Sequence, residues 1–311
     1  MTPAPASILE RLLMGCRTLP AARWWTLAAP LLLAACDDDP APEGPPPSPL
    51  LLQITSEDGA VEGWMLGTIH ALPDDVEWRT PAIERVIGDA DLLAVEVANL
   101  EDREAISAIF AELSRSTGLP DIVQRLPPSQ RADLADLISR AGFTREHLGT
   151  TETWAVALLL AQVDAQGKPE NGVDRQLIRA FTDREVRELE GAARQLTIFD
   201  TLPENDQRDL LAGVVEESSD QRDNPGRLRD AWLAGDVAIL EEATTTGIMA
   251  DRELREALLV ERNRDWAAQL AALLRARERP LIAVGAAHLV GPDSVAAMLE
   301  QRGYTVTRVG R

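Results

Sequence analysis

Leu281-Ile282-Ala283-Val284 contains no polar residue, and neither does Leu92-Leu93-Ala94-Val95. A strand with one wet face alternates polar and apolar residues. Runs this uniform have to be covered on both faces, as in the parallel sheet of an α/β fold. Leu50–Thr55 and Val61–Thr68 read as further strands, with Asp58-Gly59 between them as a hairpin turn. Tyr304–Val309 alternates as a last strand, and Val186–Leu189 has the composition of a short one. Most of the chain between these ends has helical spacing. Leu134, Leu137 and Ile138 share one face, Thr153–Val163 is apolar all round, and 251–277 reads as one long amphipathic helix. The economical architecture is α/β: a mixed central sheet formed by the N- and C-terminal strands, with a helical insertion over about 102–277.

The first segment reads as an address rather than as fold. Residues 24–35, WWTLAAPLLLAA, form an apolar run of signal-peptide length preceded by Arg17 and Arg23. Leu33-Ala34-Ala35-Cys36 resembles a bacterial lipobox, which implies cleavage before Cys36 and lipidation of its thiol. Residues 1–35 are then a lipoprotein signal, with Met14 a candidate true start. Residues 36–49 are the lipidated cysteine and a Pro-rich tether, and 50–311 the folded domain. Buried lipid methylenes at ~0.8 kcal/mol each would hold the chain to a membrane, facing the periplasm of a bacterial envelope. Asp37 after the cysteine favours the inner membrane by the enterobacterial sorting rule.

The formal charge is −20; residues 1–36 carry +2, which leaves −22 on the remainder. A nucleic-acid partner needs a basic face, so that class is set aside. Both cysteines, Cys16 and Cys36, precede the folded part, so no disulfide or thiolate metal site is expected inside it.

Chemistry concentrates on two of the three histidines. Gly67-Thr68-Ile69-His70 and Gly285-Ala286-Ala287-His288 each follow an apolar strand. In α/β sheets, ligands gather beyond the carboxyl ends of the strands, where a glycine permits a sharp turn or a close approach. Imidazole there suits acid–base work or a transition metal. His147, on a polar helix start, reads as a solvated residue. Glu96 ends a buried-type strand. A lone carboxylate is costly to desolvate there, so it reads as a metal ligand, a general base or the partner of an arginine. Glu261-Arg262-Asn263 lies on the long helix with Trp266 one turn on. Glu261 offers an alternative proton acceptor and Arg262 a carboxylate clamp or oxyanion donor. Asn263 is taken with them as a candidate catalytic residue.

Several segments occur in a fixed order: GTIHALP (67–73), LAVE (93–96), NGVD (171–174), LExxxxQL (189–196), AWxxGD (231–236), ERNxxW (261–266) and VGAAHLVGP (284–292). In this the chain resembles the TraB/GumN family, which includes the Tiki metalloproteases and is similar to erythromycin esterases and haem-binding ChaN-type lipoproteins. The resemblance implies a duplicated α/β core with both histidines in one cleft. It implies a divalent metal, manganese or cobalt with zinc also suitable, held by His70, His288 and Glu96. It also makes Arg262 a cleft residue and Glu190 and Gln195 walls of a substrate site. The expected function is a membrane-anchored extracytoplasmic hydrolase, acting on a peptide or ester. The alternatives are a haem- or metal-binding lipoprotein without turnover and a non-catalytic envelope partner.

Overall fold

The structure is a computed structural model that describes residues 46–276 and 278–310. The expected signal segment, Cys36 and residues 37–45 of the tether therefore lie outside the described residues. Residues 47–311 form one compact unit.

In chain order the main elements are β1 (Leu51–Thr55), β2 (Val61–Thr68), α1 (Pro81–Asp89), β3 (Leu92–Val95), α2 (Arg103–Leu113), α3 (Arg131–Arg140), α4 (Thr153–Leu160) and α5 (Val173–Ala180). Then come β4 (Val186–Glu188), α6 (Ala192–Asp200), α7 (Glu204–Asp223), α8 (Arg227–Ala234), α9 (Val237–Glu242) and α10 (Arg252–Arg255). The last are α11 (Glu261–Arg275), β5 (Pro280–Gly285), α12 (Val295–Glu300) and β6 (Thr305–Arg308).

The fold is α/β with a mixed six-stranded sheet of order β4-β3-β5-β2-β1-β6. β4, β3, β5 and β2 run parallel; β1 and β6 complete the other edge antiparallel. The two uniformly apolar runs, β3 and β5, lie side by side in the interior of the sheet. Leu92–Val95 and Pro280–Val284 are buried at every residue. Each large aliphatic side chain so covered contributes roughly 1.5–3 kcal/mol. The Asp58-Gly59 hairpin forms, with Gly59 at φ 82°.

The short strand expected at Val186–Leu189 forms as β4 and pairs with β3. One expectation needs correction. The segment 251–277 is not one regular helix. α10 runs into a π turn at Glu256–Val260, where the N–H of Glu261 bonds to Glu256 O, before α11 resumes. The inserted residue shifts the helical phase, and Asn263, Trp266 and Leu270 face the core in the shifted register.

Trp232 of α8 locks the helical layer to the end of β2. Its ring lies 6.4 Å from that of Trp78, and its Nε1–H donates to Gly67 O at 2.8 Å. Trp232→Phe keeps the apolar bulk and removes that buried donor. The expected cost is about 1 kcal/mol, a melting shift of roughly 2–4 °C. A shift under 0.5 °C in calorimetry would show that the bond carries no stability.

Candidate functional site

Parallel pairing brings the strand ends into register: Thr68 of β2 stands opposite Gly285 of β5, and Val95 of β3 opposite Ala283. His70 and His288 therefore leave neighbouring strands at one level, with strand axes about 4.8 Å apart. Glu96 follows β3 on the other side of β5. A side chain added at Gly67 would press on Ala286 at 3.1 Å, so glycine lets β2 and the turn carrying His288 approach closely. The expected convergence of both histidines and Glu96 on one sheet edge is what the topology produces.

The two imidazoles sit in opposite environments. His288 is buried at 7% exposure. Its Nδ1–H donates to Asn263 Oδ1 at 2.5 Å, and the Asn263 amide is oriented by its own donation to Asp293 O at 2.8 Å. The remaining nitrogen, Nε2, faces Arg262 Nη1 at 3.4 Å, and Trp266 packs on the ring at 4.6 Å. Burial pushes His288 down to about 3, so it is neutral at pH 7. Asn263 is thus the group that orients His288.

His70 has a side chain 70% exposed, and its Nδ1–H donates to Asp174 Oδ2 at 2.9 Å. Asp174, buried at 5%, also accepts from Thr68 Oγ1 at 2.7 Å. The adjacent backbone is clamped as well. Val173 N–H bonds to Ile69 O at 3.0 Å, and a Cβ at Gly172 would overlap the carbonyl oxygen of His70. The Asp174 charge raises His70 to about 9, against desolvation. Nε2 is the nitrogen left without a protein partner among the described residues. Asp174 belongs to the Asn-Gly-Val-Asp segment that sequence reading noted without assigning it a task.

Between the histidines lies a buried ion cluster. Glu96 Oε1 accepts from Gly285 N–H at 2.8 Å, and Oε2 accepts from Arg262 Nη2 at 2.8 Å and Gln195 Nε2 at 3.2 Å. Arg262 grips Glu190 with two parallel bonds, Nε to Oε1 at 3.0 Å and Nη2 to Oε2 at 2.8 Å. Its Nη1 also donates to Leu258 O at 3.1 Å, within the π turn. With His288 Nε2 this gives the five donors of the guanidinium five acceptors. Burial raises Glu96, but His288 once protonated in acid, His70, Arg262 and the Gly285 amide outweigh it and hold Glu96 at about 2. Because His288 is neutral, Arg262 is the contacting cation at pH 7. Of the readings open for Glu96, the arginine partnership is the one present.

Not every candidate joins this cluster. Gln195 and Glu190 touch it, through Glu96 and Arg262 respectively. Glu261 is exposed and points to a neighbouring cavity rather than to either imidazole. His147 is exposed, as expected.

Of the three donors expected for a divalent ion, two are already engaged by Arg262, at Glu96 and at His288 Nε2, and only His70 keeps a nitrogen, Nε2, without a protein partner among the described residues. Among the described residues no group of three or more His, Cys, Asp or Glu is arranged to hold a metal. As arranged, these residues fit a guanidinium at the centre rather than a metal ion.

A family model described as the TraB/PrgY/gumN family matches residues 50–308. No curated protein and no solved structure gives a significant match. Among the described residues no helix is long and apolar enough to cross a membrane.

Proposed function

The chain belongs to the TraB/PrgY/gumN family, and from that premise we propose that it is a hydrolase of peptide or ester bonds, with His70 as its acid–base group. The observation that carries this reading is the exposed imidazole held through Nδ1 by a buried aspartate, with Nε2 open to solvent. Such an arrangement presents one lone pair or one proton at a defined place. When neutral, His70 takes a proton from an attacking water at Nε2. When protonated, it returns that proton to the leaving group. Asp174 sets the tautomer and favours the charged ring. The Glu96–Arg262–Glu190 cluster provides fixed dipoles beside the reacting atoms, and neutral His288, buried behind Arg262, completes its acceptor set. Arg262 has no donor to spare in this state, so an oxyanion role would require it to release a carboxylate.

The setting of this hydrolase is the bacterial envelope. Lipidation of Cys36 would anchor it to a membrane facing the periplasm, with Asp37 favouring the inner membrane. Manganese, cobalt or zinc would have to displace Arg262 from Glu96 and His288, so we favour water activation by His70 directly. A haem-binding role is less well supported, because porphyrin propionates are anionic and the cavity beside Arg262 is lined by carboxylates.

The mature chain, offered peptide and ester libraries, is expected to hydrolyse members of one class after exhaustive chelation. Loss of turnover on chelation, restored by manganese or cobalt, would overturn the metal-independent form and return His70, His288 and Glu96 to a ligand set. Bound haem or metal without any turnover would favour the binding lipoprotein instead.

A further inference from the structure

A cavity of about 330 Å³ opens beside the ion cluster, with Arg262 and Glu190 in its wall. Its wall is partly aliphatic, from Ile198, Leu202 and Ala257, and its remaining charge is of one sign. The two arginines that line it are already matched. Arg262 is held by Glu96 and Glu190, and Arg194 pairs with Asp265 at 2.9 Å. Asp206, Glu253 and Glu261 also line the cavity and form no ion pair with a basic side chain among the described residues. Asp206 is accordingly pushed up, by burial first and then by the charges of Asp251 and Glu253. A cavity whose wall combines aliphatic side chains with unmatched carboxylates has the lining for an aliphatic stem that ends in a cation.

We propose that this cavity is a specificity subsite of the hydrolase and receives a lysine- or arginine-type side chain of the substrate next to the bond attacked at His70. The proposal rests on the hydrolase reading for its place beside the reacting bond. Ile198, Leu202 and Ala257 take the methylenes, and Asp206, Glu253 and Glu261 receive the ammonium or guanidinium. The matched arginines keep an acidic side chain from gaining anything in exchange.

The test uses the mature chain and two readouts. The first is hydrolysis of matched peptide and ester substrates carrying lysine, norleucine or glutamate at positions flanking the bond. The lysine member is expected to show a KM roughly tenfold below norleucine, a charge-assisted contact, with glutamate the poorest. The double substitution Asp206→Asn, Glu253→Gln raises KM for lysine roughly tenfold, leaves kcat within about twofold, and leaves norleucine unchanged. The second is binding of Nα-acetyl-lysine-N-methylamide against the norleucine analogue, followed by NMR shifts of the cavity residues. If no substrate turns over yet the lysine probe alone shifts these residues, and the double variant abolishes the shift, the subsite stands and the hydrolase reading falls. Equal KM for lysine and norleucine in an active enzyme, or equal binding of both probes, overturns the subsite. Removing like charges relieves repulsion, so a melting temperature at or slightly above wild type accompanies the expected result.

Discussion

Arg262→Met melts roughly 6–20 °C below the wild-type chain, the consequence of a loss of about 3–5 kcal/mol from breaking a buried ion cluster on one side. The side chains of Glu96 and Glu190 are only 7% and 2% exposed, and both lose their cation together. His288 Nε2 and Leu258 O also lose a donor. Methionine matches the stem but not the charge, so the loss is electrostatic rather than a cavity effect. Pairing Arg262→Met with Glu96→Gln and Glu190→Gln should restore most of the stability, because no uncompensated charge is then buried. A single variant as stable as wild type in a urea titration would mean that water reaches these carboxylates.

The pH dependence of stability differs between wild type and Arg262→Met. In the wild type Glu96 is held at about 2, below the ordinary glutamate value. Its contribution is therefore fully present above about 4.5 and is lost as pH falls toward 2. In Arg262→Met, burial is left to act on Glu96 with one opposing cation fewer, which pushes that carboxyl up. The variant then gains relative stability on acidification, because folding no longer favours the ionised acid as strongly. The stability gap between the two proteins should narrow as pH is lowered from 7 to 4. A gap that stays constant over that range would assign the loss to packing.

The sheet and both histidine positions are legible in the sequence because they obey local rules. Leu92–Val95 and Leu281–Val284 can only be doubly covered strands, and a glycine followed by a histidine at each strand end announces a functional edge. The partners are harder to read. Asp174 lies in the first turn of α5, where a carboxylate is the ordinary complement to the helix dipole. Nothing local separates it from such a residue, and only the approach of Gly172 to His70 makes it a histidine partner. Arg262 looks like one charge on a charged helix until the π turn at Glu256–Val260 rephases it. A strictly 3.6-residue reading cannot place a side chain beyond such an insertion. Glu190 and Glu96 are recognisable as candidates, but their shared arginine is a tertiary fact.

His70→Ala is expected to lower kcat/KM by a factor on the order of 10²–10⁴, the usual size of a lost general acid–base group. Stability should fall below about pH 9, where the charged ring pairs with Asp174, by an amount that the 70% exposure of the side chain keeps small. Asp174→Asn separates orientation from charge. Asparagine can still accept from Nδ1–H and bond Thr68, so the tautomer survives while the negative charge is gone. That charge is the largest cause of the raised His70 value of about 9, so its removal lets the imidazole titrate nearer 6.5. In a pH profile of kcat/KM the wild-type limb should lie alkaline of the ordinary histidine range. The Asp174→Asn limb should move acidward, and His70→Ala should lack it. The stability sign agrees: a raised histidine stabilises the fold fully below about 6.5, and this contribution fades as pH rises through about 9. The Asp174→Asn protein should therefore lose its deficit relative to wild type at high pH. A profile unchanged in His70→Ala would remove this imidazole from the reaction, and an unmoved limb in Asp174→Asn would remove the aspartate's charge from its control.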